Sequence, residues 1–418
     1  MKVLHVDTTD TVGGAARAAF RIFSAISDLG IDSQFVTLEK HSDDWRVWQP
    51  GRYARKKKKL CARGERFLLD HIARIQPNKP WSIALSSTPE IVNHINSSNV
   101  DVINLHWING SCISISDIGR IRKPVVWTLH DTWPFTGGCH YFDECDKYQS
   151  VCERCPQVMR QSFDVAKYQF KKKEKYYSRL RMSIVSPSKW LAECASKSKL
   201  FDGCNVDVIP YPIRLDIYKP INKSFVRDVL NIPEDKQVIL FGADNATHDP
   251  RKGYDLLRMA LQNMRNLVEK PEKVLLLIFG ALEPKVSEGL PFAVKYMGRV
   301  YDDYTLTLLY NAADAFIAPS REDNLPNTIM EAMACGTPCV GFRIGGIPDE
   351  IEHMVTGYLA EPFDTSDLAK GIETVLENHE KMGMAARDKA VREYNMRKVG
   401  QQYLDLYENI LSGSKTMN

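Results

Sequence analysis

Short apolar runs alternate with amphipathic stretches along the whole chain. Val3–Val6, Ser33–Leu38, Val102–Leu105, Val125–Leu129, Met182–Ser186 and Val206–Ile209 read as strands in the first half. Gln237–Phe241, Val274–Phe279 and Asp314–Ala318 do so in the second. Runs this apolar fit strands buried on both faces. Between them lie helical patterns. Ala15–Leu29 puts Ala18, Ile22, Phe23 and Ile26 on one face, and a helix entered at Tyr254 carries Leu256, Leu257, Ala260 and Leu261. This alternation predicts an α/β protein with a parallel layer structure in each half. Pro210-Tyr211-Pro212-Ile213 is rigid and extended, and reads as a linker. It divides the chain into domains 1–210 and 211–390. The segment 391–418 predicts a closing helix, Val391–Leu411, carrying Tyr394, Val399, Tyr403, Leu406 and Tyr407.

Candidate chemistry concentrates where strands end. After Asp314–Ala318 comes Pro319 to Gly336, in which Asn324, Pro326 and Asn327 favour a turn and a helix start, and Gly336 a left-handed helix stop. A strand–loop–helix unit aims backbone N–H groups and a positive helix end at one point, which suits a phosphate. Asp323 and Glu331 flank that loop, and a carboxylate grips hydroxyls. Phosphate donors beside hydroxyl acceptors suggest a sugar nucleotide. An ordinary capped helix with solvated acids has the same spacing. Gly13-Gly14 makes a glycine-rich turn after the first strand, which lets a ligand approach the backbone. His106 and His130 each follow a buried strand, where open α/β sheets gather ligands.

Composition then narrows the classes. The 418 residues suffice for two cores, and the 44% apolar and 26% charged content is that of a soluble protein. A net charge of +3 gives no global field for nucleic acid. The start lacks the apolar core of a signal peptide, and no run reaches a membrane span, so a cytoplasmic location is expected. Arg52–Lys59 nevertheless packs six positive charges into eight residues, and Lys167–Lys175 forms a second basic cluster among aromatics. Each is either a solvated face or a dock for anionic headgroups, placing the protein peripherally on the inner face of the cytoplasmic membrane. Of ten cysteines, Cys139, Cys145, Cys152 and Cys155 lie close together. Only Cys152-x-x-Cys155 has the tight-pair spacing of a zinc site. Structural zinc, free thiols and a disulfide all remain open, and a closed four-thiolate site would have no catalytic position.

Asp323, seven residues, Glu331 and then Ala332-Met333-Ala334-Cys335-Gly336-Thr337-Pro338 resemble the signature of retaining glycosyltransferases of family 4. The resemblance implies the GT-B fold, α/β: two Rossmann-like domains with a cleft between them and a C-terminal helix crossing back. It implies that Glu331 holds the nucleotide ribose and that Asp323 faces the donor sugar. Asn324 and Leu325 would join the donor site, and Gly13 and Gly14 would face the diphosphate. Lys252-Gly253 matches the family's diphosphate cation, with Arg251 beside it standing in for an Arg that this chain replaces by Ala243. Gly298-Arg299-Val300 resembles the segment that cradles the base, which assigns Val300 to the donor. His130 corresponds to the histidine beside the donor sugar, so that His130, Asp323 and Lys252 are the expected catalytic residues. Two departures stand out: Asp323 replaces the usual Glu, and Asn324-Leu325-Pro326 replaces Gly-aromatic-Gly. The stretch from His130 to Pro156 resembles enzymes that build exopolysaccharides of the colanic-acid type. The expected function is transfer of a sugar from a nucleoside diphosphate sugar to a saccharide, lipid-linked in surface polysaccharide biosynthesis, with retention and no cofactor for catalysis. A non-hydrolysing sugar-nucleotide epimerase and a catalytically silent sugar-nucleotide-binding subunit are the alternatives.

Overall fold

The structure, a computed structural model, describes residues 1–160, 162–243, 245–266, 268–283, 289–300 and 302–412. One cation of the first basic run, Lys57, has its side chain outside the described part. The chain forms two compact units, Met1–Tyr211 with the chain from Arg397, and Pro212–Met396.

The first unit is built on a parallel sheet of seven strands: β1 (Lys2–Thr9), β2 (Asp32–Glu39), β3 (Val47–Trp48), β4 (Val102–Leu105), β5 (Val125–Thr128), β6 (Met182–Ser186) and β7 (Val206–Val208). Their order is β3-β2-β1-β4-β5-β6-β7. β4 and β5 are buried at every position, as helices on both faces require. The second unit has six parallel strands: β8 (Gln237–Gly242), β9 (Val274–Phe279), β10 (Ala293–Tyr296), β11 (Ala315–Ala318), β12 (Cys339–Phe342) and β13 (Gly357–Ala360). Their order is β10-β9-β8-β11-β12-β13. Each sheet reverses its winding once, between β1 and β4 and between β8 and β11. At such a point the loops leaving the carboxyl ends diverge and open a crevice. Each unit therefore carries one predefined binding position.

The closing helix differs from its expected outline. The helix His379–Glu393 stops, the chain bends at Tyr394, Asn395 forms an isolated β-bridge, and a separate helix, Met396–Ser412, follows. The reason lies in the backbone. The Ile213 N–H donates to the Tyr394 carbonyl at 2.8 Å, and Asn395 bridges to Ile213, so this stretch serves as a strand partner rather than as helix. The last helix then belongs to the first unit. Tyr403 and Tyr407 are fully buried there. Asn104 in β4 donates to the Tyr407 hydroxyl at 2.8 Å, and the Tyr403 hydroxyl lies 3.3 Å from Thr128 Oγ1 in β5. Gly400 permits the close fit, since a Cβ there would meet the Ala25 carbonyl at 2.8 Å.

Candidate active site

In the second unit the crevice lies between the loops after β8 and β11, and glycines let those loops interlock. Gly253, at φ +67°, caps the helix Tyr254–Arg265, and a Cβ on it would come within 1.8 Å of the Pro319 carbonyl. The Arg321 N–H donates to the Arg251 carbonyl at 2.7 Å. Gly345, at φ +53°, passes so close that a Cβ would meet the Asp323 carbonyl at 2.2 Å, and the Gly346 N–H donates to that same carbonyl at 3.1 Å. The Asp323 carbonyl is thus held against the Gly345–Gly346 backbone.

Its carboxylate meets the Lys252 ammonium at 2.6 Å and accepts from Ser320 Oγ at 3.2 Å. Burial raises the Asp323 pKa, but the Lys252 charge and hydrogen bond outweigh it and hold the carboxyl below the usual carboxylate range. Arg251 lies beside this pair with its guanidinium bonded to Asp249 at 2.5 Å. Asn324 and Leu325 are buried, and the Asn324 N–H donates to Asp323 Oδ1 at 3.2 Å. Glu331 sits in the helix Asn327–Ala334, buried, and accepts from the Tyr310 hydroxyl at 2.9 Å. Gly336 ends that helix at φ +80°, as its position predicts. Val300 follows β10, two residues beyond Gly298, whose carbonyl accepts from the Gly280 N–H. Lys252, Asp323, Asn324 and Leu325 therefore come together at one crevice.

In the first unit Gly13, at φ +93°, starts the helix Gly14–Asp28 directly after β1 with no side-chain cap. His130 follows β5. Both of its ring nitrogens are engaged, Nε2 with His106 Nδ1 at 3.1 Å and Nδ1 with the Tyr211 hydroxyl at 2.8 Å. A proton donated to a sugar would have to leave one of these contacts. Asp131 beside it accepts from Trp107 Nε1 and the Trp133 N–H, and pairs with His140 Nδ1 at 2.6 Å. His140 Nε2 in turn lies 2.8 Å from Ser82 Oγ. This file has the spacing of a nucleophilic triad. The Ser82 N–H, however, already donates to the Gly138 carbonyl and is lost as an oxyanion donor. The file ties the Trp81–Ile83 stretch to the loop after β5. Lys173, fully buried, reinforces that loop by donating to the Trp133 and Thr136 carbonyls, with its ammonium 3.6 Å from the centre of the Trp133 ring.

All ten cysteines are free thiols. Cys139, Cys145, Cys152 and Cys155 line one cavity of about 20 Å³. Among the described residues no three His, Cys, Asp or Glu side chains stand ready to hold a metal ion.

Family models divide the chain much as its two units do. The model of Glycosyltransferase Family 4 matches residues 12–217, and that of Glycosyl transferases group 1 matches residues 236–378. The chain belongs to glycosyltransferase family 4. Among curated family relatives it is 36% identical, over 106 residues, to N-acetyl-alpha-D-glucosaminyl L-malate synthase of Bacillus anthracis, covering 25% of this chain and 28% of that protein. It is 24% identical over 254 residues to the putative colanic acid biosynthesis glycosyl transferase WcaC of Escherichia coli, covering 57% and 58%. The chain therefore spans well under two thirds of either relative. The HepE protein of Anabaena, solved with UDP and glucose, has the same fold at a TM-score of 0.64 and 18% identity, covering 98% of this chain and 100% of that one. The fold is GT-B.

The signature of family 4 does not disclose one residue of the second unit. Glu350 ends the short helix Ile347–Glu350, is fully buried, and neither carboxyl oxygen has a hydrogen-bond partner. Burial, then repulsion from Asp323 and Asp349, pushes its pKa well above 4.5. Sequence offers no signal for this, because an acid in Asp349-Glu350-Ile351-Glu352 looks solvated. At low pH the carboxyl is neutral in both folded and unfolded chains and costs nothing. As pH rises past the unfolded value, only the unfolded chain ionises, and stability is lost until the folded pKa is reached. Each unit of that window costs about 1.4 kcal/mol. Glu350→Gln should therefore raise the melting temperature at about pH 8 and leave it nearly unchanged at about pH 4. Thermal unfolding at both pH values checks this, and an effect of equal size at each would show that Glu350 does not hold its proton.

Proposed function

We propose that this protein transfers a sugar from a nucleoside diphosphate sugar to a saccharide acceptor in the assembly of a surface polysaccharide. The pair of half-buried Lys252 with buried Asp323 supports this most directly. It sets a cation suited to a diphosphate against a carboxylate suited to sugar hydroxyls, at the crevice where an α/β sheet binds its ligand. In this reading Lys252, with Arg251, stabilises the negative charge that builds on the departing diphosphate. Asp323 orients the donor sugar and Glu331 the ribose. The transfer retains configuration by front-side attack. The bond from the anomeric carbon to the phosphate oxygen breaks, the bond to the acceptor oxygen forms on the same face, and the acceptor proton passes to the departing phosphate. His130, Gly13 and Gly14 complete the reading from the first unit.

A lipid-linked acceptor fits the charge on that unit. No helix among the described residues is long and apolar enough to cross a membrane. The helix Arg52–Phe67 and its extension Leu68–Ala73 instead expose Tyr53, Leu60, Phe67 and Ile72 alongside their basic residues. The helix Val165–Tyr177 carries Lys167, Lys171, Lys172 and Lys175, with Phe163 and Tyr168 exposed beside them. Exposed rings among cations suit an anionic bilayer surface, at about 1 kcal/mol per basic residue near it. The four-cysteine loop belongs to the reading as a structural zinc site, which Cys139, Cys145, Cys152 and Cys155 around their shared cavity would hold.

Three measurements test these parts separately. In a thermal-shift panel of UDP-, GDP-, ADP- and CMP-sugars, one nucleotide class should stabilise the protein by about 2.7 kcal/mol at ~100 times its dissociation constant. Glu331→Ala should abolish that shift. No shift with any class would remove the donor reading, a shift without transfer to any saccharide would favour the silent subunit, and ring epimerisation of a bound donor would favour the epimerase. Vesicles rich in anionic lipid should sediment the protein at low salt and release it as salt rises; equal binding to neutral vesicles would remove the electrostatic dock. Elemental analysis of protein purified without chelator should find about one zinc per chain, and its absence would remove the metal.

A further inference from the structure

Three histidines from adjacent strands form one hydrogen-bonded file in the first unit. His5 lies within β1, His106 follows β4 and His130 follows β5. His5 Nδ1 is 3.0 Å from His106 Nε2, and His106 Nδ1 is 3.1 Å from His130 Nε2. His130 Nδ1 is 2.8 Å from the Tyr211 hydroxyl, which lies 3.4 Å from the Leu129 carbonyl. A neutral imidazole carries one N–H and one lone pair, so the proton position on one ring dictates that on the next. Only two arrangements satisfy every contact in the file.

The far end chooses between them. His5 is fully buried, stacked on Phe35 with its ring edge-on to Phe23, and its Nε2 has no partner. If the protons sit on Nε2, this atom is an orphaned donor in an apolar pocket. If they sit on Nδ1, it is only an unused lone pair, and every N–H of the file has an acceptor. Orphaned buried N–H groups are the rarer and costlier defect. Burial also lowers the pKa of His5 to about 3 and of His130 to about 4, with His106 well below its ordinary value, so all three rings are neutral near pH 7.

We propose that His5 and His106 are positioning residues that lock His130 in one tautomer, with its proton on Nδ1 and directed to Tyr211 and its Nε2 satisfied by His106. The lock deepens the transfer reading and depends on it only for what His130 faces. In that reading the ring stands by the donor sugar as an uncharged wall rather than as an acid.

Histidine-specific ¹⁵N labelling of the full chain tests this without any substrate. The ten histidines keep the spectrum tractable, and His130→Gln assigns its signal. The wild type should show His130 with its proton on Nδ1 and no titration between about pH 5.5 and 8.5. His106→Leu should leave a mixture of tautomers, and His106→Asn, whose amide N–H can still donate to Nε2, should restore the single form. A wild-type proton on Nε2 overturns the proposal even if His106→Leu fails to fold. An unchanged pure tautomer in folded His106→Leu overturns it as well. A locked tautomer in a protein that transfers no sugar would sink the transfer reading and leave the lock standing.

Discussion

The second unit depends on a charge pair that only a particular backbone can hold. Lys252 and Asp323 are both largely removed from water, with side chains 20% and 11% exposed. Desolvating two charges costs several kcal/mol each, and attraction offsets this only when the geometry is fixed and the remaining oxygens are hydrogen-bonded. Here Ser320 and the Asn324 N–H supply those bonds, while Gly253 and Gly345 let the two loops close around the pair. A side chain at either glycine would strike backbone, which cannot yield as a flexible side chain does. The chemistry of the crevice is thus encoded as much in two absent side chains as in the two charged ones.

The first unit solves a related problem with neutral groups. Its crevice is surrounded by histidines that burial keeps uncharged, and by Asp7, whose pKa burial, and then Asp10, push up to about 8 against three backbone hydrogen bonds. Asp131 is the exception, because pairing with His140 outweighs burial and keeps it ionised. A low background of charge makes each remaining charge act over a longer range, since neighbours neither screen nor oppose it. The Ser82–His140–Asp131 file then works as a brace, and the last helix, tied to β4 and β5 through Tyr407 and Tyr403, closes the unit behind it.

Most of the fold was legible because buried parallel strands advertise themselves. Val102–Leu105, Met182–Ser186 and Val274–Phe279 were readable residue for residue, since each is a short apolar run between polar punctuation. β12 and β13 were not, because each is only four residues long and includes a glycine, Gly341 or Gly357, so that neither presents an unbroken apolar run. β3 and β10 are short or partly exposed and leave little pattern. The break at Tyr394–Asn395 is invisible locally, because it exists to meet Ile213, far away in sequence. The site shows the same division. Asp323 and Lys252 announced themselves by motif, but their contact joins residues 71 positions apart. His5 gave no sign at all, since a histidine inside a strand is read as an ordinary polar interruption until its neighbours across the sheet are known.

That difference between residue and partner explains why Glu350 matters for the crevice as a whole. A second ionised carboxylate behind Asp323 would compete for Lys252 and weaken the pair, as like charges sharing a site do. Burial without a partner makes ionisation of Glu350 the costlier outcome, so the proton stays and Asp323 remains the charged partner of Lys252. An apolar residue of the same volume would preserve the pair equally well without the strain of an unsatisfied carboxyl. The chain therefore carries an ionisable group in the core of its second unit whose ionisation would set two carboxylates against one ammonium. Through Glu350 the stability of the second unit falls as pH rises from the unfolded carboxyl value towards the raised pKa of the buried group.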